Sequence, residues 1–585
     1  MTTVGEIKSH SWVSCSLFAV VCAGVSVEPA FAQSTVPTRQ EIDAASRTPA
    51  LQPRAIDPVT AAQAQGCPFT AKGTVTLKRV NVTGATLVPQ EDIKASVADL
   101  LGKQSDLAVL CEARDRVAQL YAARGESLAR VDIPEQRISD GILALAVTEG
   151  RIVDTEIRNA GAAGPAAGRI AGYFAPLEAS DAARWGDVER AFLLAREIPG
   201  IDAGFSIRRA GDGTPNGLLA VAALGPRRLF DITLNGHNLG SHELGREGGS
   251  VRVDANSFTP LAERTSFIVS TSSNGAQRVF QFLEEFRVGR SGTAIFGDLA
   301  YSESKPKGAL EALDLEGRAW VGRFGARYPL VRSRALSSDV SAKLEFIDQK
   351  NDLGFFTGPG SEPLTLFRDE LRVLAAKLLN RWQPLSLDGL AVSTELELRK
   401  GIDGLGASDS GDPLLSRANA RPDFVAARFG ASARFVAATS GPLVPWVLAN
   451  LSGQWSPHGL PAYEEYQIGN YTVGRGYDPG AASGDRGIGL QLEAGVDLSV
   501  RGLPTALGGG ASLGLFGFYD TAKIWNDDPL SYDSRIASLG GGVRIRFPRT
   551  HLSLFYADPR KPPFASAEKP DGRALVTLTR TFSIR

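Results

Sequence analysis

The chain has 585 residues, with 63 basic and 64 acidic side chains and a formal net charge of −1. That balance provides no global field for nucleic acid. Beyond the N-terminus, no apolar run reaches the roughly 18 residues that a membrane-crossing helix needs. Sixty-three glycines and one methionine also set the composition apart from a helical membrane protein.

Lys8 precedes an apolar stretch from Trp12 to Val25, and Ala30-Phe31-Ala32 then offers a small-x-small cleavage site before Gln33. This predicts an export signal over residues 1–32, with an acidic Glu6 out of keeping in its first part. Cys15 and Cys22 would leave with that signal, and Cys67 and Cys111 would remain. Two thiols in an oxidising compartment are expected to pair. Such a disulfide ties the stretch before the next domain to that domain's second helix. Residues 33–67, rich in Pro, Ala, Gln and Thr, read as a flexible leader with a short helix at Arg39 to Ser46.

Two small repeats follow. Val75, Leu77, Val80 and Val82 form a strand-like run, and helices are predicted over Pro89 to Leu101 and Leu107 to Ala123, stopped by Gly125. Strands are expected at Leu128 to Ile133 and Ile142 to Val147, with a turn at Ser139-Asp140-Gly141. The order recurs as a strand at Ile152 to Ile157, helices at Ala166 to Tyr173 and Trp185 to Arg196, and strands at Phe205 to Arg208 and Leu218 to Ala223. Residues 68–150 and 151–226 are therefore two α/β units of one layout, each with a sheet edge free to take a guest strand. The layout resembles the polypeptide-transport-associated (POTRA) domain.

From Arg227 to Arg585 the period is two. Leu490, Leu492, Ala494, Val496, Leu498 and Val500 alternate with Gln491, Glu493, Gly495, Asp497, Ser499 and Arg501. Such strands can cover a soluble core, or face lipid on one side and a wet lumen on the other. Their length favours the second, since membrane-crossing strands need about 9 to 11 residues and ordinary strands have about 5 to 6. The fold predicted for residues 227–585 is a transmembrane barrel of 16 antiparallel strands. The longer connectors follow odd strands and short ones, such as Leu330-Val331-Arg332, follow even strands, as a barrel with both ends on one side requires; the short connector after strand 3, at Asn274-Gly275, is an exception. Arg580 interrupts the apolar face of the last strand near an interface, where a lipid-facing charge costs about 0–1 kcal/mol.

The longest connector holds Val473-Gly474-Arg475-Gly476-Tyr477, and a strand downstream carries Phe518-Tyr519-Asp520-Thr521-Ala522. By parity Asp520 points with Phe516 and Phe518, away from Leu515 and Tyr519, and so into the lumen. An arginine on a loop inside a wet lumen can fork onto a wall carboxylate, and Gly476 would allow a sharp turn beside it. From about residue 68 onward, this architecture with its loop tip resembles the outer-membrane transporters of two-partner secretion, the haemolysin secretion/activation (ShlB/FhaC/HecB) family. The family's loop motif reads Val or Ile, Arg, Gly, Phe or Tyr; here Gly474 stands before Arg475. Its wall motif reads Phe-x-Asp-x-Gly; here Ala522 takes the last place.

The resemblance implies a monomeric barrel in outer-membrane lipid with POTRA domains in the periplasm. It implies export of one large haemolysin- or adhesin-like exoprotein, bound unfolded by those domains. No cofactor, nucleic-acid partner or catalytic site is expected. His237 and His242 lack an acid or thiol cluster with metal spacing, and no phosphate loop occurs. Two other readings stay open. An assembly factor that inserts barrels would carry more N-terminal modules, and a passive porin would need none.

Overall fold

The computed structural model describes residues 38–46, 67 and 73–585, apart from 125, 127, 139, 179–183, 212–215, 356–361, 385–386, 438–440, 502–509 and 528–532. The expected export signal and most of the leader lie outside the described residues, as do Gly125 and Ser139. Helix α1 (Arg39–Ser46), with Thr38 and Cys67, is the described part of the leader.

The first α/β unit comprises β1 (Thr74–Thr76), β2 (Arg79–Thr83), α2 (Gln90–Val97), β3 (Gln104–Asp106), α3 (Ala108–Ala123), β4 (Arg130–Asp132) and β5 (Ile142–Thr148). Strand β5 lies at the centre of its sheet, parallel to β2 and antiparallel to β4. Two features differ from expectation. The first run breaks into β1 and β2, with β1 pairing to the unforeseen β3, and β4 is shorter than Leu128 to Ile133. Apolar residues at helical spacing on α2 and α3, among them Ile93, Val97, Leu110 and Val117, meet Leu143 and Leu145 in a core from which water is excluded. Cys67 and Cys111, the latter on α3, are joined with Cα atoms 5.7 Å apart.

The second unit repeats the layout. It runs β6 (Arg151–Arg158), α4 (Ala167–Glu178), α5 (Trp185–Arg196), β7 (Ala203–Arg209) and β8 (Gly217–Leu224). Strand β8 is central, parallel to β6 and antiparallel to β7. Rings of Phe174, Phe192 and Phe205 pack together, Phe192 and Phe205 with centroids 4.7 Å apart. The far face of α5 docks on the barrel's turns. Arg190 Nη2 donates to Pro329 O (2.7 Å) and Ser291 O (3.1 Å), Arg332 pairs with Glu197 at 2.6 Å, and Glu189 accepts from Arg334 Nε at 3.0 Å.

Sixteen strands among the described residues close the barrel. They begin with β9 (Phe230–His237), β10 (Gly248–Asn256), β11 (Arg264–Ser272) and β12 (Gln277–Val288). The wall continues through β13 (Thr293–Ser304), β14 (Leu315–Arg332), β15 (Leu336–Leu353), β16 (Leu364–Trp382), β17 (Leu390–Gly401), β18 (Val425–Val436) and β19 (Leu443–Trp455). A short hairpin, β20 (Tyr466–Ile468) with β21 (Ala482–Gly484), lies outside the wall order. The wall resumes with β22 (Arg486–Arg501), β23 (Gly510–Trp525), β24 (Ser534–Phe547), β25 (Thr550–Pro559) and β26 (Arg573–Ile584), which pairs back onto β9. Leu330-Val331-Arg332, expected as a connector, belongs to β14. An irregularity at Pro329/Val331 lets the ladder continue to Arg332 opposite Ser337, because Pro329 has no N–H to donate. Alternation sets the faces: Leu515 is 61 % exposed on the outside, while Asp520 on the opposite parity is 0 % exposed.

The unit 1 core is fastened at Glu149. Its Oε1 accepts from Thr86 N–H and Leu87 N–H (2.8 Å each) and from the Tyr121 hydroxyl (2.7 Å). Burial by itself would push this carboxyl up, but those bonds and one from the Thr86 hydroxyl outweigh it and hold it below its ordinary 4.5. The folded value being lower, the stabilisation is complete above pH 4.5 and is lost as pH falls through the folded value. Hydrogen exchange over β2 and α2 in the full chain should therefore accelerate more than expected below pH 4.5. Glu149→Gln should flatten that dependence; an unchanged profile in the variant would contradict the assignment.

Candidate functional site

The connection between β19 and β22, residues 456–485, folds back into the lumen instead of standing outside. Hairpin β20–β21 forms its stem. Val473 and Tyr477 at its tip pack with Ile468, Ala482, Ala522, Ile524 and Ile536, so an apolar cluster seats the tip on the inner wall of β23 and β24. The Tyr477 hydroxyl lies 2.9 Å from Ala537 O and 2.7 Å from Lys561 O.

The two glycines divide the work differently from expectation. Gly474 makes the turn, at φ +112°, and a Cβ there would lie 2.4 Å from Ile536 Cδ1. Gly476 has no such φ. A Cβ there would meet Pro559 N at 2.9 Å, so its role is close approach to β25.

Arg475 is the polar centre of the tip. Its Nε donates to Asp520 Oδ2 (2.9 Å), its Nη2 to Oδ1 (2.5 Å), and its backbone N–H also to Oδ2 (2.9 Å). The guanidinium lies over the Phe518 ring, 3.6 Å from its centroid. Its Nη1 is paired with Glu493 on β22, and Glu493 also accepts from Arg544 Nη1 at 2.8 Å. Arg544 in turn covers Phe516 at 3.8 Å. The site is thus a run of alternating charge, Asp520, Arg475, Glu493 and Arg544, over two rings. Sequence reasoning missed Glu493 and Arg544 as members. Both sit on polar parities of their strands, but membership depends on register, which places Glu493 opposite Phe518 and Gly514 opposite Arg544.

A second charged cluster holds the stem of the connection and α1. The fully buried Arg399 donates to Glu345 Oε2 (2.6 Å), Glu397 Oε1 (3.0 Å) and Glu464 Oε1 (2.7 Å). Arg428 also reaches Glu464 at 2.9 Å. Helix α1 lies against this cluster: Arg39 is 3.7 Å from both Glu397 and Glu464, and Asp43 accepts from Arg323 at 2.8 Å. Ile42 is buried among lumen-facing Ala300, Ala319, Val321, Ile347 and Leu371, and its carbonyl accepts from Gln281 at 2.9 Å. The short helix expected at Arg39 to Ser46 of the leader therefore lies inside the barrel. Gln40 Nε2 donates to Gln467 O at 3.0 Å, joining helix and hairpin.

At the outer end, Asp478 of the same connection accepts from Arg246 at 3.2 Å and from His242 N–H at 3.2 Å, and pairs with Arg573 at the start of β26. One connection thus touches the wall near β23, the α1 cluster and the closing seam. The disulfide of Cys67, at the end of the leader, with Cys111 of unit 1 lies apart from it. His237 closes β9, its ring edge-on to Tyr471 at 6.2 Å.

A family model described as haemolysin secretion/activation protein ShlB/FhaC/HecB matches residues 221–545. A model of the POTRA domain, ShlB-type, matches residues 75–150. Among solved structures, CdiB from Escherichia coli is similar over 93 % of this chain and 96 % of its own, with a TM-score of 0.70 and 17 % identity. CdiB from Acinetobacter baumannii is similar over 87 % of this chain and 90 % of its own, with a TM-score of 0.63 and 15 % identity. At these identities the likeness is one of fold. No curated protein matches the chain.

Removing one partner from a buried pair costs about 3–5 kcal/mol. Arg475→Ala leaves Asp520 buried without its fork and should free the tip while the wall stays closed. A Thr472→Cys reporter is expected to react with maleimide on the order of a hundredfold faster in that background. An unchanged rate, with heat-modifiable gel mobility intact, would show that the apolar seat holds the tip unaided.

Proposed function

The chain belongs to the haemolysin secretion/activation protein family ShlB/FhaC/HecB, and from that premise we propose how its parts divide the work of secretion. It is a two-partner secretion transporter whose barrel spans the outer membrane and whose POTRA domain lies in the periplasm. The partner is a secreted exoprotein. In our reading, unfolded exoprotein adds as a strand to the free edges of the two α/β units, β2 or β4 in the first and β6 or β7 in the second. The second unit acts as a further POTRA domain, and its contacts with the periplasmic turns aim the guest at the lumen.

One observation carries this reading. The lumen holds two pieces of the chain itself, α1 and the connection 456–485, and both are fastened to the wall by side-chain charge pairs beside small apolar clusters. Such fastenings can be exchanged for contacts with a polar guest without breaking the sheet that crosses the lipid. The Arg475–Asp520 fork is the lock of the connection, and the Glu464 cluster couples it to α1. The drive, with no nucleotide, is folding of the exoprotein outside.

Deleting residues 39–46 is expected to raise the single-channel conductance of the protein in planar bilayers, because α1 occupies the lumen. An unchanged conductance would mean that the connection alone blocks the pore. The reading as a whole is tested by quantitative proteomics of a deletion strain. One or a few large proteins should vanish from the medium, and complementation with Arg475→Ala should fail to restore them at normal barrel levels. Loss of many outer-membrane barrels instead would make the chain an assembly factor.

A further inference from the structure

On the outer wall, the strand register sets Arg318 directly opposite Lys350, and Lys350 opposite Arg368. All three share the lipid-facing parity of Phe324, Phe346 and Leu374 on their own strands. They stand near the extracellular ends, and Arg318 is one outward position beyond Trp320, whose ring packs on Tyr301 with centroids 4.6 Å apart. An aromatic pair on the lipid face marks the membrane interface, so the cations beyond it stand at the level of lipid headgroups. Lys305 joins them, 3.4 Å from both Glu303 and Glu316 on the same face.

Like charges directly opposite one another in a ladder are destabilising. Each strand cation has an acid two positions away: Arg318 pairs with Glu316, Lys350 with Asp352 at 3.0 Å and Arg368 with Glu370 at 2.5 Å. The pairs are lopsided. The cation side chains are 41–56 % exposed and the acids 5–28 %. The acids lie against the wall, and the cations reach toward the lipid.

We propose that Arg318, Lys350 and Arg368, with Lys305, bind the phosphate groups of a phosphorylated saccharide lipid of the outer leaflet. A phosphate set between cross-strand cations replaces their repulsion with attraction, and the two arginines offer forked donors to its oxygens. The row lies on the outside of the wall, away from the Arg475 fork and α1.

The test uses the full chain and an Arg318→Gln/Lys350→Gln/Arg368→Gln variant in phosphatidylcholine vesicles. The vesicles contain either a bisphosphorylated diglucosamine lipid or its dephosphorylated form, and lipid retained through gel filtration is counted by mass spectrometry. The unsubstituted protein should retain the bisphosphorylated lipid selectively, in the presence of excess inorganic phosphate. The variant should lose about fivefold in affinity per cation, on the order of a hundredfold in all. Heat-modifiable mobility reports barrel closure. If the triple variant does not close, Lys350→Gln alone carries the test with an expected loss of about fivefold. Equal retention by the variant, equal retention of the dephosphorylated lipid, or displacement by inorganic phosphate would each overturn the proposal.

Discussion

The pairing of β26 with β9 is the constraint from which the rest follows. Hydrocarbon offers no partner to a free N–H or C=O, so a sheet can cross a membrane only if it has no edge. Eight residue pairs, from Thr577 opposite His237 to Ile584 opposite Phe230, close this sheet. Closure forces one parity of every strand into lipid and the other into a lumen, which explains why Leu515 and Asp520, five residues apart, live in such different surroundings. At the outer end the seam is reinforced from within, where Asp478 holds Arg573 of the last strand and Arg246 beyond the first.

A closed wall of this size encloses more volume than its own inward side chains fill. The chain fills it with α1 and the connection between β19 and β22. Their fastening differs in kind from that of the wall. The wall is a ladder of backbone bonds, whereas the fillers are held by Arg399, Arg475, Arg323 and their carboxylates, and by small apolar clusters. A buried ion pair gains little over a well-packed apolar contact, yet is costly to break on one side only. That asymmetry suits a fitting that must stay shut until a polar competitor offers both partners a replacement. The contacts of α5 with the turns at Ser291, Pro329 and Arg334 then give the periplasmic units a fixed stance beneath the pore.

The outer face obeys a different economy. Apolar residues suffice in the hydrocarbon, but near its border Trp320 and Tyr301 give way to Arg318, Lys350 and Arg368. Each of these outer cations has an acid beside it on the same face, but the acids lie closer to the wall and the cations are the more exposed partners, which is why we read them as facing a lipid.

Much was legible in the sequence, because much depended on period alone. Alternation along β22 and β23 needs no knowledge of neighbours, so strand number, the lumen parity of Asp520 and the two α/β repeats could be read from residue order, as could the short helix at Arg39. The Arg475 tip and Asp520 stood out as a charge on a long loop and a lone acid on a wall. What residue order left open was everything that depends on which strands lie side by side. Glu493 and Arg544 join the site only through register, Gly474 and not Gly476 takes the turn while Gly476 lies against Pro559 of a distant strand, and α1 lies in the lumen because Glu397, Glu464 and Arg323 meet there from three separate parts of the chain. By itself the sequence determined the alternation, and hence the barrel and its faces; closure and register, which are properties of the assembled sheet, decided who faces whom inside it.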